Sequence, residues 1–215
     1  MSLSTPACLP CGPVSLDRLL QLRPGRAHEF CGPARHLLAA WMVARLPAGA
    51  PVIWIRPRWG VDRLCPLGLR DWASPEGLIF VEPARASDCL GCAEEALRSG
   101  AVGLVVVEQP DPPALTPLRR LHLAAETGLA RRRGDSRAVR SAEGLHALVL
   151  TAGTGGTAGV ESRWHLAPCP ATDAPGHAPV QPAWRLHRLR ARMAPPAAWR
   201  ITAQLQAIPC KTDET

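Results

Sequence analysis

The strongest constraint on the fold is an almost continuous aliphatic run, Ala101-Val102-Gly103-Leu104-Val105-Val106-Val107. A strand that is apolar on both faces is typical of the buried centre of a parallel sheet. Shorter apolar runs lie at 51–55, 78–81 and 145–151, and segments with helical spacing lie between them at 34–46, 87–99 and 117–130. This alternation predicts an α/β fold with a mostly parallel central sheet. Right-handed crossovers would place helices on both of its faces.

The remaining segments complete this prediction. A short capped helix is expected at 15–20, and strands are expected at 25–30 and 161–167, whereas 57–77 is expected to be irregular. Ser87 and Asp88 are predicted to cap the start of the 87–99 helix, which Gly100 should end. One face of the 34–46 helix is apolar through Leu37, Leu38, Trp41 and Ala44.

Proline and charge patterns divide the chain into five parts. Residues 1–14 are rich in Pro, Cys and Gly and are expected to be flexible, and the α/β core is expected at 15–167. A Pro-rich linker at 168–182 leads to a basic Trp/Arg extension at 183–207, in which alternating strands at 184–189 and 198–205 predict a β-hairpin-like addition. The tail, 208–215, is expected to be disordered.

The turn after the 25–30 strand has the layout of a phosphate-binding loop, because a strand, a Gly-Pro pair and a helix follow one another. A working loop reads G-x-x-x-x-G-K-[ST], in which the backbone approaches phosphate, Lys neutralises it and the hydroxyl holds magnesium. Counted from Gly32, the last three positions are Leu37, Leu38 and Ala39. None of these side chains can perform its part, and the chain's single lysine is Lys211, in the tail.

The ordered motifs resemble the RecA superfamily over residues 15–167. Gly25 to Pro33 resembles the strand and loop that open the RecA core, 96–108 resembles its helix and second acidic strand, and Gly155-Gly156 with 161–166 resembles a later turn and strand. The resemblance implies that Glu108 stands at the magnesium-supporting acidic position. After the second strand, Arg56-Pro57-Arg58 offers no carboxylate to activate water. It therefore implies a RecA-like fold that is not an enzyme, with no bound cofactor or metal.

Within that superfamily the sequence most resembles the ImuA family, accessories of the bacterial damage-inducible mutagenesis cassette. The resemblance is carried by 158–168 and by the Arg-rich segment 184–192, which Pro195, Pro196 and Trp199 follow. It implies an SOS-induced role in error-prone translesion synthesis, with an ImuB-like inactive Y-family polymerase as partner. RecA, the error-prone replicative-type polymerase and DNA are further partners that it allows.

Two alternatives stay open. SulA, a related degenerate RecA-like protein, suggests a division inhibitor that binds the tubulin-like division protein. The other alternative is a nucleotidase with an unusual loop.

Two basic segments supply candidate partner-binding or DNA-binding residues. The formal net charge is +7, with 25 Lys and Arg against 18 Asp and Glu, which permits a nucleic acid or acidic protein partner. The RecA comparison implies that residues 119–140 lie beside DNA-facing loops. Residues 174–212 lack Asp and Glu. Arg side chains can contact phosphates and Trp side chains can stack on bases or anchor an interface. The candidates are Arg131, Arg132, Arg133, Trp184, Arg185, Arg188, Arg190, Arg192 and Trp199.

The cysteines and apolar runs bear on metal binding and location. Cys8/Cys11 and Cys89/Cys92 have the C-x-x-C spacing of a zinc site, but the second pair opens a predicted helix, so reduced, partly buried thiols are the favoured interpretation. The chain has no apolar run of 18 residues and no signal-peptide pattern at its start, so a cytoplasmic protein is expected.

Overall fold

A single ten-stranded mixed sheet organises the chain, in the strand order β1-β10-β9-β8-β7-β2-β6-β5-β3-β4. The computed structural model describes residues 13–60, 63–70, 72, 74–134, 144–169 and 181–210. The strands are β1 Val14–Ser15, β2 Ala27–Cys31, β3 Val52–Ile55, β4 Leu78–Val81, β5 Leu104–Glu108, β6 His146–Leu150, β7 Ser162–Cys169, β8 Ala183–Ala191, β9 Ala197–Ile201 and β10 Gln206–Pro209. The helices are α1 Leu16–Leu19, α2 Arg35–Ala44, α3 Pro66–Leu69, α4 Ala86–Ser99 and α5 Leu115–Gly134.

The half of the sheet from β7 to β4 is parallel throughout. Strand β2 pairs with β6 on one side and β7 on the other, β5 pairs with β6 and β3, and β3 pairs with the edge strand β4. Parallel pairing brings the carboxyl ends of these strands to one edge of the sheet, where the β2–α2 loop and Glu108 lie. The α/β prediction with a mostly parallel core is confirmed.

The other half is an antiparallel meander that continues the same sheet. Strand β8 pairs with β7 over its whole length, β9 pairs with β8, and β10 pairs with β9 and with β1. The predicted hairpin of the extension is present as β8 and β9. The prediction of disorder from residue 208 is wrong for residues 208–210, because Ile208 and Pro209 pair with β9 and the amide of Cys210 donates to the Ala198 carbonyl. Residues 211–215 lie outside the described residues.

The side chains of each central strand alternate between two hydrophobic cores. Leu104 and Val106 of β5 face a core that α1 and α2 cover, whereas Val105 and Val107 face a core that α4 and α5 cover. This two-sided burial is the reason that the strands read as continuous aliphatic runs. The first core extends under the antiparallel half through Leu186 and Trp199, but the second contains no described residue of β8, β9 or β10.

Some predicted boundaries differ from the structure. Helix α4 begins at Ala86 with Arg85 in the extended N-cap position, so the predicted Ser87/Asp88 cap is wrong, although Gly100 ends the helix at φ +72° as expected. The segment 57–77, expected to be irregular, holds α3 and a short 3-10 turn, Pro75–Gly77. Strand β7 runs two residues into the predicted linker, of which residues 170–180 lie outside the described part.

Candidate functional site

The β2–α2 loop lies where a phosphate-binding loop would lie, and it is clamped onto β7. Gly32 adopts φ +91°, and a Cβ at this position would lie 2.5 Å from the Leu166 carbonyl oxygen and 2.8 Å from the His165 ring. The backbone N–H of Ala34 donates to the same carbonyl at 3.0 Å. Only glycine fits this close approach, because it lacks a Cβ and tolerates positive φ.

The three positions that should serve phosphate and magnesium are apolar and pack inward. Leu38 and Ala39 have no exposed surface, and Leu37 is half-buried against the same α1/α2 core. Leucine and alanine side chains offer neither a charge for phosphate nor an oxygen for magnesium. The structure therefore uses this turn of α2 as core.

The carboxylate at the acidic position is held by side chains of this chain. Trp54 Nε1 donates to Glu108 Oε1 at 2.6 Å, and His36 Nε2 lies 3.4 Å from Glu108 Oε2. The His36 and Trp54 rings are stacked, 6.4 Å apart and 15° from parallel. Burial raises the pKa of Glu108, but the hydrogen bonds of His36 and Trp54 and the charges of His36 and Arg56 outweigh burial and hold this pKa below its usual range. We call these residues the Glu108 network.

A small cleft lies beside the Glu108 network. Its volume is about 160 Å³, and Arg35, Trp59, Glu108 and Leu150 contribute to its lining. Cofactor pockets usually occupy about 300–1,000 Å³. At the position after β3, Arg56 is 5% exposed and is paired with Glu82 through its Nε at 2.9 Å and through Nη2. A paired guanidinium therefore occupies the position after β3.

Sequence reasoning missed a second buried carboxylate, Glu29 in the middle of β2. Its side chain is fully buried and accepts hydrogen bonds from Thr151 Oγ1 at 2.8 Å, Gly156 N at 3.0 Å and Thr157 Oγ1 at 2.7 Å, while Arg163 Nε pairs with Oε2 at 2.5 Å. Burial raises the pKa of Glu29, but these bonds and the Arg163 charge outweigh it, so the net pKa is lowered. This carboxylate holds the Gly-rich loop 153–159 in place at Gly156 and Thr157.

One solved structure, that of RadB recombinase, is similar to this chain over 92% of its length and 97% of the RadB chain, at 15% sequence identity and a TM-score of 0.53. The fold is RecA-like. SulA from Pseudomonas aeruginosa is similar over 59% of this chain and 98% of the SulA chain, at 19% identity and a TM-score of 0.42. No protein-family model and no curated protein matches the sequence. The closer resemblance to the ImuA family stays a prediction.

The tryptophans chosen as partner or DNA candidates are packed into this RecA-like core. Trp199 is 1% exposed, with its ring 6.0 Å from that of Trp164, so it cannot stack on a base and that interpretation is wrong. Trp184 is half-buried, and its ring meets that of Trp41 edge-on at 5.5 Å. Arg188 lies over the Trp164 and Trp199 rings, 5.6 and 5.1 Å from their centroids, so it also has a structural role.

The other candidate arginines lie on α5 and on or directly after β8. Arg131 and Arg132 donate to the Arg98 and Gly100 carbonyls at the end of α4, where they satisfy the last turn of that helix. Arg185 is half-buried and Arg190 is exposed on β8. Arg185 and His187 lie on the side of β8 opposite Trp184 and Leu186, as the alternation predicted, and no core residue of α4 or α5 packs there.

The cysteines and the helices of the structure bear on metal binding and on membrane insertion. Cys89 is buried, which raises the pKa of its thiol to about 11, and Cys8 and Cys11 lie outside the described residues. Within the described part of the chain, no group of three or more His, Cys, Asp or Glu side chains could hold a metal ion. The helices described in the structure include none with the length and apolarity needed to span a bilayer.

Proposed function

We propose that this chain is a non-catalytic RecA-like accessory of damage-induced, error-prone translesion synthesis. The proposal that the chain is non-catalytic rests on one observation. Side chains of the protein itself fill or bind the positions that would serve phosphate and magnesium. Leu38 and Ala39 are core residues, and the Glu108 carboxylate is bound by Trp54 and His36. A triphosphate with magnesium would need a cation and a hydroxyl in α2 and a carboxylate free to support the metal.

The proposed partner is an inactive Y-family polymerase of the ImuB type. Its choice rests on the resemblance of 158–168 and 184–192 to the ImuA family. RecA and the error-prone replicative-type polymerase remain proposed members of the same assembly. The surface that fits best is the side of β8 carrying Arg185 and His187, because helices α4 and α5 leave it without a core contact.

Nucleotide binding tests the non-catalytic part. Labelled ATP with magnesium is titrated against the full chain by fluorescence anisotropy, with an active RecA-like ATPase as positive control. We expect no saturable binding to this chain. Saturable binding that Trp54→Phe alters, through the lost hydrogen bond to Glu108, would place nucleotide at the loop and overturn the proposal.

Partner capture tests the adaptor part. Deleting the whole extension would expose core residues, so point variants are better. We expect Arg185→Glu with Arg190→Glu to weaken capture of the ImuB-like polymerase at least about tenfold, because charge reversal at an interface slows association and adds repulsion. The matched control is Arg85→Glu with Arg119→Glu, two exposed arginines at the N-cap of α4 and in α5. Equal capture by both double variants would refute the assigned surface. Filamentation of cells on overproduction, with no capture of the polymerase, would favour a division inhibitor instead.

A further inference from the structure

A second cleft lies at the opposite edge of the sheet, where β2 and β6 begin. Its volume is about 420 Å³, and it is formed by the turn before β2 and the last turns of α5. Three arginines line it, Arg23, Arg26 and Arg133, together with one carboxylate, Glu126. Arg23 and Arg26 do not belong to the basic segments that the sequence singles out.

A fourth arginine joins these groups through a shared carboxylate. Glu161 is almost buried, and its oxygens lie 3.6 Å from Arg23 Nη1, 4.0 Å from Arg26 Nε and 3.4 Å from Arg192 Nε. These separations exceed normal hydrogen-bond lengths. Glu161 therefore links Arg192, which does not line the cleft, loosely to Arg23 and Arg26, which do.

The charges of the described residues around the cleft do not balance. Arg26 is paired with Glu126 at 2.6 Å, so among these residues the four arginines face two carboxylates, Glu126 and Glu161, and two positive charges remain. The side chains of Arg23 and Arg192 are each 59% exposed, which leaves their remaining N–H donors directed to solvent. Burial lowers the pKa of the nearby His122 most. The Gly159 carbonyl and the Glu161 charge raise this pKa, and the Arg26 and Arg192 charges lower it.

The backbone that carries Arg23 and Arg26 is fixed in place. Gly25 adopts φ +70°, and its N–H donates to the Leu145 carbonyl at 2.7 Å. A Cβ on Gly144 would lie 2.7 Å from Pro24 Cβ, so the turn packs directly on the start of β6. A rigid turn that presents guanidinium groups lowers the entropy lost when an anion binds.

We propose that this basic cleft binds the phosphodiester backbone of DNA through Arg23, Arg26, Arg133 and Arg192. Guanidinium groups pair with phosphate oxygens in a bidentate manner. None of the described lining residues is aromatic, so bases find no stacking platform and the contact reads the backbone without sequence preference. The lack of an aromatic anchor also separates this cleft from the usual centre of a protein interface. The site goes beyond the adaptor role, which requires no contact with DNA.

The test measures binding of a labelled 20-nucleotide DNA, single-stranded and duplex, by fluorescence anisotropy at several salt concentrations. The variant is Arg23→Gln with Arg133→Gln, both exposed residues whose loss should leave the fold intact. We expect about tenfold weaker binding, and a slope of log affinity against log salt for the duplex that is smaller by about 2.

The matched control is Arg70→Gln with Arg85→Gln, two exposed arginines that neither line the cleft nor belong to a basic segment. This control should bind as the parent does. Arg23→Lys keeps the charge but loses the bidentate geometry of the guanidinium group. Its DNA affinity should lie between those of the parent and the double variant.

Three outcomes would overturn the proposal. They are no DNA binding by the parent, equal binding and salt slopes in the two double variants, and displacement of the DNA by polyglutamate at matched charge concentration. The last result would assign the cleft to an acidic protein segment. Because ATP titration and polymerase capture do not involve these arginines, failure here leaves the proposed function intact.

Discussion

The residue that most determines the interior of this protein is Glu29. It is a fully buried carboxylate in a strand that is buried along its whole length, and it binds groups from the β6–β7 loop and from β7 itself. A lone charge in such a place would be strongly unfavourable, so its partners must be supplied by the fold. The sequence does signal the need, because Glu29 stands in a segment predicted to be a strand in a buried sheet. The partner Arg163, 134 positions away, cannot be assigned without the parallel pairing of β2 and β7.

Glu29→Gln is expected to lower the free energy of unfolding by about 3–5 kcal/mol. The amide can present one oxygen to the Thr151, Gly156 and Thr157 donors, but its NH₂ group then faces the Arg163 guanidinium, donor against donor. Urea unfolding followed by circular dichroism measures the change. Glu95→Gln is the control, because Glu95 also pairs with an arginine, Arg98, but is 74% exposed and should change stability by no more than about 0.5 kcal/mol. Similar losses in both variants would show that the buried network contributes little.

At the scale of elements, whether a strand can be predicted from the sequence depends on what stabilises that strand. Strands β3, β5 and β6 were located to within three residues, because burial on two faces selects long aliphatic runs. The edge strand β4 was also located from its apolar run, although its residues are half-buried or exposed. Strands β1 and β10 were missed. They have two and four residues and pair with each other, so their stability comes from a contact between the two ends of the described chain.

The residues of the candidate site likewise divide into those that the sequence predicts and those that it does not. Leu37, Leu38 and Ala39 were recognised from the loop spacing, and the structure buries the last two completely. Glu108 was identified from the sequence, but the Glu108 network was not foreseen, because only the sheet order brings the end of β5 against the start of α2. The interpretation of Trp199 failed because a period-two pattern shows that a strand has two faces, without showing which one the core covers.

The packing of α4 on α5 depends on a glycine in the middle of α5. A Cβ on Gly128 would lie 1.9 Å from the Leu97 carbonyl oxygen and 2.8 Å from Leu145 Cδ2. Gly128→Ala should therefore destabilise the protein by at least about 2 kcal/mol, because the two helices must separate. Gly91→Ala in α4 is the matched control, since nothing lies within 4 Å of a Cβ there, and it should stabilise by about 0.5–1 kcal/mol. Thermal unfolding of the two variants should shift in opposite directions, and a shared direction would contradict this account of the interface.

At the scale of the whole molecule, β2 lies in the parallel half of the sheet beside β7, the strand on which the antiparallel half begins. Its neighbours are β6 towards the Glu108 network and β7 towards the meander of β8, β9 and β10. Consecutive polar residues of β2 make the connection to β7: the His28 ring lies 2.7 Å from Ser162 Oγ, and Glu29 binds Arg163. A protein that works by holding two surfaces at fixed positions requires such a rigid joint, and here the joint is polar and titratable.

The titration of His28 predicts that acid weakens this joint. The pKa of His28 is lowered to about 3, mainly by burial and less by the charges of His146 and His122, against the raising effect of the Arg23 carbonyl. In the unfolded chain the pKa returns to its usual 6.5, so between pH 6.5 and 3 the unfolded state binds one more proton here than the folded state. The free energy of unfolding should then fall on acidification by up to about 1.4 kcal/mol per pH unit from this residue. Urea unfolding at pH 7.5, 6 and 5 measures the slope. His28→Gln cannot titrate, so the slope of unfolding free energy against pH between pH 6 and 5 should decrease by the equivalent of about one proton. His187→Gln, at a less buried histidine, should change this slope less. Equal slopes in the parent and His28→Gln would mean that protonation of His28 is not what weakens the joint between the two halves.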